Sequence, residues 1–198
     1  MKNRHKGFTL VEMVVVVSIF AILLGILVPS LNSIIGFRVN RAGNSIAAAL
    51  DKTKTEAMNR LVGEMKLEKR EDGYYISYYL DRGKVGGKSN VKQDQPEKIA
   101  PARTIISYTT DKGTQKEMEV NDNIIITYDR ATGAFLPLQE RVWEQNDILA
   151  CVKNGEDIPL TRTGEYCTSI TVKGGKRYKT LQLIKETGKY TMISGWDF

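Results

Sequence analysis

One carboxylate, Glu12, lies inside an otherwise apolar stretch that runs from Phe8 to Val28. Placing an acidic group in a bilayer costs ~3 kcal/mol and usually marks a function. Pairing with a cation would recover part of that cost. Because Glu12 is near the start of the stretch, the alternative is a carboxylate that reaches the membrane interface and has no partner. Glu12 is the first candidate functional residue.

The rest of the sequence contains no constellation that predicts catalysis. The only histidine, His5, lies in the first seven residues, so histidine-based acid–base chemistry and a zinc site are not expected further along the chain. Carboxylate pairs such as Glu117/Glu119 read as solvated residues. The glycines at 83, 86 and 87 lack the spacing of a phosphate loop. We therefore predict no enzyme activity, no metal and no cofactor.

The only two cysteines are Cys151 and Cys167. If this part of the chain is exported, a disulfide between them would close a loop of about 17 residues and contribute ~3 kcal/mol. The alternative is two separate thiols.

A basic hairpin near the C-terminus is another candidate site. Around a Gly174-Gly175 turn it carries Lys173, Lys176, Arg177 and Lys179, with Tyr178 among them. Such a cluster predicts contact with DNA or an acidic surface, and the alternative is a solvated β-turn. Residues 63–198 hold 21 basic and 20 acidic side chains, so the C-terminal part lacks the general positive field of a dedicated nucleic-acid binder.

The apolar stretch 8–28 predicts a helix that would extend about 31 Å, the thickness of a hydrocarbon core. The cationic residues before it, Lys2, Arg4 and Lys6, predict a cytoplasmic N-terminus. A cleavable secretory signal is disfavoured because the apolar core is long and Val28-Pro29-Ser30 offers no suitable cut. An uncleaved signal anchor remains the alternative. Pro29, where the helix would leave the membrane, predicts a kink.

Beyond Pro29, apolar residues recur at three- and four-residue steps to about Val62, which predicts an amphipathic helix. After Gly63, short strands alternate with turns; we predict them at 74–80, 103–110, 124–128, 169–173, 178–185 and 189–194. The Gly- and Pro-containing stretch 81–101 reads as a long mobile loop. The expected fold is α+β, a long N-terminal helix packed on an antiparallel β-sheet head. The expected divisions are 1–7, 8–28, 29–62 and 63–198.

The stretch Lys6-Gly7-Phe8-Thr9-Leu10-Val11-Glu12 resembles the class III signal of type IV pilins and of the pseudopilins of secretion and competence machines. The resemblance covers residues 1 to about 29 closely and the helix to about Val62 in pattern. It does not cover the head.

The resemblance implies that a prepilin peptidase cuts between Gly7 and Phe8 and methylates the new amine of Phe8. A glycine lets the backbone enter a protease site closely. The leader 1–7 would be removed, and the helix would pass from the inner membrane into a filament. Glu12 would then pair with the Phe8 amine of a neighbouring subunit and set its register, as a buried polar group does in a coiled coil.

The expected partners are the prepilin peptidase, other pilin or pseudopilin subunits, an inner-membrane assembly platform and the lipid bilayer, with DNA a weaker expectation. The expected location is the cell membrane with the head outside, and then the filament. The head of 136 residues favours a minor subunit of the FimT/GspH-like kind over an abundant shaft subunit or a DNA-uptake subunit. The alternative from another class is a signal-anchored extracytoplasmic domain that never polymerises.

Overall fold

The computed structural model describes residues 9–60, 62–81, 92–93, 95–113, 115–144, 147 and 162–196, without the side chains of 27–33, 81 and 92–93. Within these residues one helix, α1, spans Leu10–Asn59. Ten strands follow it: β1 Val62–Arg70, β2 Gly73–Asp81, β3 Lys92–Gln93, β4 Glu97–Pro101, β5 Ile105–Thr110, β6 Gln115–Glu117, β7 Asn123–Thr127, β8 Cys167–Gly174, β9 Arg177–Ile184 and β10 Lys189–Trp196.

The helix has two halves that differ in exposure. All side chains from Thr9 to Ile26 are exposed. From Val39 onward one face is buried, through the residues Val39, Ala42, Ile46, Leu50, Thr53 and Ala57. These are positions of the predicted amphipathic stripe, so its period is confirmed. The helix ends at Asn59, where the N–H of Arg60 donates to the Glu56 carbonyl at 2.8 Å. It stops before the predicted Val62 because Val62 already pairs with Asp81 in the first sheet.

The strands form two antiparallel sheets. The first has the order β3-β2-β1-β7, with β4 also on β2, and the second has the order β10-β9-β8-β5-β6. Both sheets share one hydrophobic core with the second half of α1, in which Leu50, Met65 and Ile170 are fully buried. Tyr74 joins the sheets, because its hydroxyl accepts a hydrogen bond from the N–H of Ile106 at 3.2 Å. The predicted α+β architecture, a helix followed by an antiparallel head, is confirmed.

Two parts of the head differ from the sequence-based expectation. β1 was not predicted, although Glu64-Met65-Lys66-Leu67-Glu68 alternates charged and apolar residues as a half-buried strand does. The stretch 81–101 is not a loop throughout, since Glu97–Pro101 forms β4 and buries Ile99 and Ala100. Most of the remaining predicted loop, 82–91, lies outside the described residues.

Candidate functional site

Glu12 closes the first turn of α1. Thr9 is the N-cap residue of the helix. The N–H and hydroxyl of Thr9 both donate to Oε2 of Glu12, at 2.8 and 2.9 Å. In return, the N–H of Glu12 donates to Oγ1 of Thr9 at 3.2 Å. This reciprocal capping box satisfies backbone donors that a helix N-terminus otherwise leaves unpaired.

The capping box gives Glu12 partners within its own chain. A carboxylate is favourable there because the N-terminus of a helix carries a partial positive charge. Our sequence reasoning missed this role, although the spacing Thr9-x-x-Glu12 is the known sequence signature of a capping box. Glu12 therefore has a local structural role that must be separated experimentally from any role between subunits.

The first half of α1 is an uncovered apolar rod. Its large hydrophobic residues are between 42% exposed at Val16 and 80% exposed at Leu10. Patches of this extent are rare on monomeric soluble proteins and mark a surface that another phase or molecule covers. In the part of the chain that the structure describes, no helix combines the length and the hydropathy needed to cross a membrane.

Three predicted features at this end lie wholly or partly outside the described residues. Gly7 and Phe8, the predicted cleavage and methylation positions, precede the first described residue. α1 continues through position 29, but the side chain of Pro29 is not described, so the kink stays a prediction.

Residues 2–28 match the family model of the prokaryotic N-terminal methylation motif. The chain begins with a pilin-like class III signal. This confirms the resemblance to type IV pilins and pseudopilins for the N-terminal segment and points to a structural subunit rather than an enzyme. No curated protein matches the chain, and no solved structure matches it.

The basic residues of the predicted hairpin, far from the class III signal, each have a different environment. Lys176 is exposed at the turn between β8 and β9. Lys179 is buried, and its Nζ donates to Oδ1 of Asn44 on α1 at 2.6 Å. Arg177 lies against Gly36 of α1, with its guanidinium carbon 4.0 Å from the ring centre of Trp196. Lys173 is half-buried and has a contact of its own. DNA binding by this hairpin stays a prediction.

The same contacts explain two glycines of α1. A methyl group at Gly36 would lie 2.6 Å from Cδ of Arg177, and one at Gly43 would lie 2.6 Å from Cδ of Lys179. Both glycines therefore make room for basic side chains of β9.

Cys167 is a free, buried thiol in the structure, and burial raises its pKa to about 12. Its Sγ donates to the Ser169 carbonyl at 3.5 Å. Cys151 lies outside the described residues. The disulfide is not shown and stays a prediction.

A buried carboxylate that the sequence did not single out lies on β1. Glu64 is 1% exposed, and its Oε2 accepts a hydrogen bond from the N–H of Trp143 at 3.0 Å. Among the described residues, its Oε1 has no hydrogen-bond partner. Burial raises the pKa of Glu64 to about 7, although the Trp143 N–H, the nearby Gln139 side chain and the charges of Arg162 and Arg141 oppose the rise. Alternation along β1 places position 64 on the same face as Lys66 and Glu68, which sequence reasoning takes as solvent-facing.

Proposed function

We propose that this chain is a prepilin, a non-enzymatic subunit of a type IV pilus or pseudopilus. The observation that carries the proposal is the methylation motif at residues 2–28, which leads into an uncovered apolar helix half. The helix holds the chain in the inner membrane with the head outside. Prepilin peptidase then removes residues 1–7 and methylates Phe8. With the assembly platform, other subunits cover the apolar half when the filament forms.

Glu12 aligns the subunits in this proposal. Its carboxylate lies in the first turn of α1, and Glu12 follows Phe8, where cleavage would create a new amine, by four positions in the sequence. Pairing with the Phe8 amine of a neighbouring subunit satisfies a charge that the apolar surroundings penalise. Such a pair forms at one axial offset between helices, so it fixes the register.

Processing is tested by expressing the chain with and without a prepilin peptidase and identifying the N-terminus by mass spectrometry. We expect loss of residues 1–7 and gain of one methyl group on Phe8, only when the peptidase is present. Gly7→Val is the matched control, because a branched side chain at the cut should keep the leader on. An intact leader in the presence of an active peptidase, or a cut elsewhere, contradicts the proposal.

We further propose that the subunit is a minor one. The support is the large head, which makes up 136 of the 198 residues and covers one face of α1 from Val39 to Ala57. Quantitative mass spectrometry of sheared filaments tests this. A few copies per filament are expected, whereas an abundance equal to that of the main subunit would make it a shaft component.

A further inference from the structure

We propose that the β8–β9 turn and the helix beside it form a surface that binds anionic phospholipid headgroups. This lipid-facing surface consists of Arg38 and Arg41 of α1, Lys176 and Arg177 at the turn, and Trp196 of β10. The inference rests on the proposed function, since it requires α1 to be anchored in a bilayer. It identifies which end of the head faces the membrane and which lipids that end selects.

Contacts along α1 fix the direction of the second sheet. At one end of β9, the turn packs on the helix near its apolar half, where a methyl group added at Gly174 would lie 2.8 Å from Cγ2 of Val39. At the other end, Nζ of Lys54 donates to the Thr187 carbonyl at 2.6 Å. β9 therefore runs along α1 from residues 35–39 to about residue 54, so Lys176 lies at the end nearest the apolar half.

The spacing along α1 puts the turn within reach of headgroups. Ile35, which the turn also contacts, follows Val28, the last residue of the apolar stretch, by seven positions. At 1.5 Å per residue this is about 10 Å along the helix. The polar layer of a bilayer extends roughly 5–8 Å beyond the hydrocarbon core on each side. A lysine or arginine side chain on this turn bridges the remaining distance, as long basic side chains do at membrane surfaces.

Charge on α1 and on the β8–β9 hairpin is basic at this end. Between Glu12 and Asp51 the sequence has no acidic residue, and residues 167–185 also have none. Glu186 and Asp51 lie toward the far end of β9 and α1. Glu117 of β6 is closer, since it pairs with Ser107 of β5 and lines a cavity together with Lys173 and Tyr178. The basic surface is therefore confined to α1, the β8–β9 turn and the end of β10. Asp197 follows Trp196 in the sequence but lies outside the described residues. Each basic residue held near an anionic surface favours the docked state about fivefold.

Aromatic residues at the same end fit a membrane interface. Trp196 is 51% exposed with the Arg177 guanidinium against its ring, and Phe37 is 69% exposed. Tryptophan favours the headgroup layer, where its ring is partly apolar and its N–H remains hydrated. A cavity of about 120 Å³, lined in part by Gly36, Asn40, Arg177, Ser194 and Trp196, opens beside them. Its arginine wall suits a phosphate group.

DNA is the competing partner for a basic hairpin, and the contacts favour lipid. Lys179 is buried and donates to Asn44, so one of the four basic hairpin residues cannot reach a strand of phosphates. Lys176 of the hairpin is exposed, and so is Arg38 of α1; both lie toward the apolar half of the helix, where a bilayer rather than a duplex would be adjacent.

The test uses the full chain in nanodiscs of phosphatidylcholine alone or mixed with phosphatidylglycerol. Trp143→Phe leaves Trp196 as the single tryptophan, because the chain has two. Quenching of Trp196 by lipids with a nitroxide on the headgroup reports docking. We expect stronger quenching with phosphatidylglycerol, reversed by salt. Lys176→Glu and Arg38→Glu should each lower the ratio of docked to undocked heads about fivefold or more.

Lys189→Glu is the matched control, since it makes the same charge change on an exposed residue at the far end of β10. It should leave the quenching unchanged. Equal quenching in both lipids that does not change with Lys176→Glu overturns the inference but leaves the proposed membrane anchor intact. A short DNA duplex that binds through Lys176 when lipid charge has no effect also overturns it, in favour of DNA. A chain that does not enter nanodiscs contradicts the proposed function itself.

Discussion

At the scale of single residues, Glu12 offers two separable roles, a helix cap and a charge. Glu12→Gln keeps an oxygen that accepts from the Thr9 N–H, because glutamine also serves in a capping box, but it removes the charge. We expect Glu12→Gln and Glu12→Val both to abolish assembly, measured as protein in the sheared filament fraction. Both variants should still be cut after Gly7.

Thr9→Ala is the complementary control for that prediction. It removes the hydroxyl that accepts from the Glu12 N–H and costs the helix ~1 kcal/mol, but it leaves the carboxylate in place. Filaments should therefore still form. If Glu12→Gln assembles like the wild type while Thr9→Ala does not, the cap rather than the charge is what assembly requires.

Glu64 predicts a pH dependence of head stability. Its pKa rises from 4.5 in the unfolded chain to about 7 in the folded head. The folded state therefore binds the proton more tightly, and the free energy of unfolding falls as the pH rises from about 4.5 to about 7. The full loss is on the order of 3 kcal/mol. Glu64→Gln should remove this slope and be more stable than wild type at pH 8 by up to that amount.

Urea unfolding in mild detergent at pH 5 and pH 8 measures the effect as a difference between variant and wild type. Glu144→Gln, on an exposed residue, is the matched control and should give the same difference at both pH values. A difference for Glu64→Gln that does not change with pH contradicts the buried, protonated carboxylate.

At the scale of elements, the junction between α1 and β1 depends on a glycine. A methyl group added at Gly63 would lie 2.6 Å from Cα of Ala57, a backbone atom that cannot move without shifting the helix. Gly63→Ala should destabilise the head by ~2–3 kcal/mol, as overpacking a well-packed core does. Thermal unfolding of the head measures this. Gly25→Ala has no neighbour within 4 Å and should leave the transition unchanged, so equal stability of the two variants would refute the tight junction.

Sequence patterns predicted the helices and strands that bury one face and expose the other, because this arrangement gives a regular spacing of apolar residues. The stripe from Val39 to Ala57 and the last three strands follow such periods, and both are present. β1 was missed although its residues 64–68 alternate charged and apolar side chains. Its place between β2 and β7, and the burial of the charged Glu64, depend on pairing with distant parts of the chain. The packing role of Gly36 and Gly43 was also not predictable. Their partners, Arg177 and Lys179, lie on a strand more than a hundred residues away in the sequence.

Some features of the candidate site could be predicted from the sequence, and others depend on tertiary structure. Glu12 was identifiable from the sequence because a lone carboxylate in an apolar run is a local feature. The capping box with Thr9 is equally local, since the spacing Thr9-x-x-Glu12 predicts it. The environment of Glu64 was not identifiable, because its burial and its hydrogen bond from the Trp143 N–H depend on tertiary structure. The sequence identified the basic hairpin as a cluster of charges. Which of these residues contact the helix and which face solvent could not be predicted, because this depends on how β9 packs on α1.

At the scale of the whole molecule, the chain is a head attached to one half of a helix whose other half is bare. Every side chain from Thr9 to Ile26 is exposed, so this half must be covered first by lipid and then by other subunits in the proposed life of the protein. The head covers one face of the other half, from Val39 to Ala57. The proposed function therefore has anchoring and assembly use the same surface in succession, and it predicts that different changes block each step.

Ile19→Arg combined with Ile22→Arg should block the first step. Each arginine near the centre of a membrane helix costs ~3 kcal/mol, and both isoleucines are more than half exposed, at 53% and 65%, so no contact within the chain compensates. The double variant should be lost from the membrane pellet after alkaline carbonate extraction and from filaments. Glu12→Gln should stay in the pellet and be lost from filaments only. The reason is that the apolar half serves both anchoring and assembly, whereas the Glu12 charge serves only assembly. Recovery of the arginine variant in filaments would show that assembly does not use subunits from the membrane.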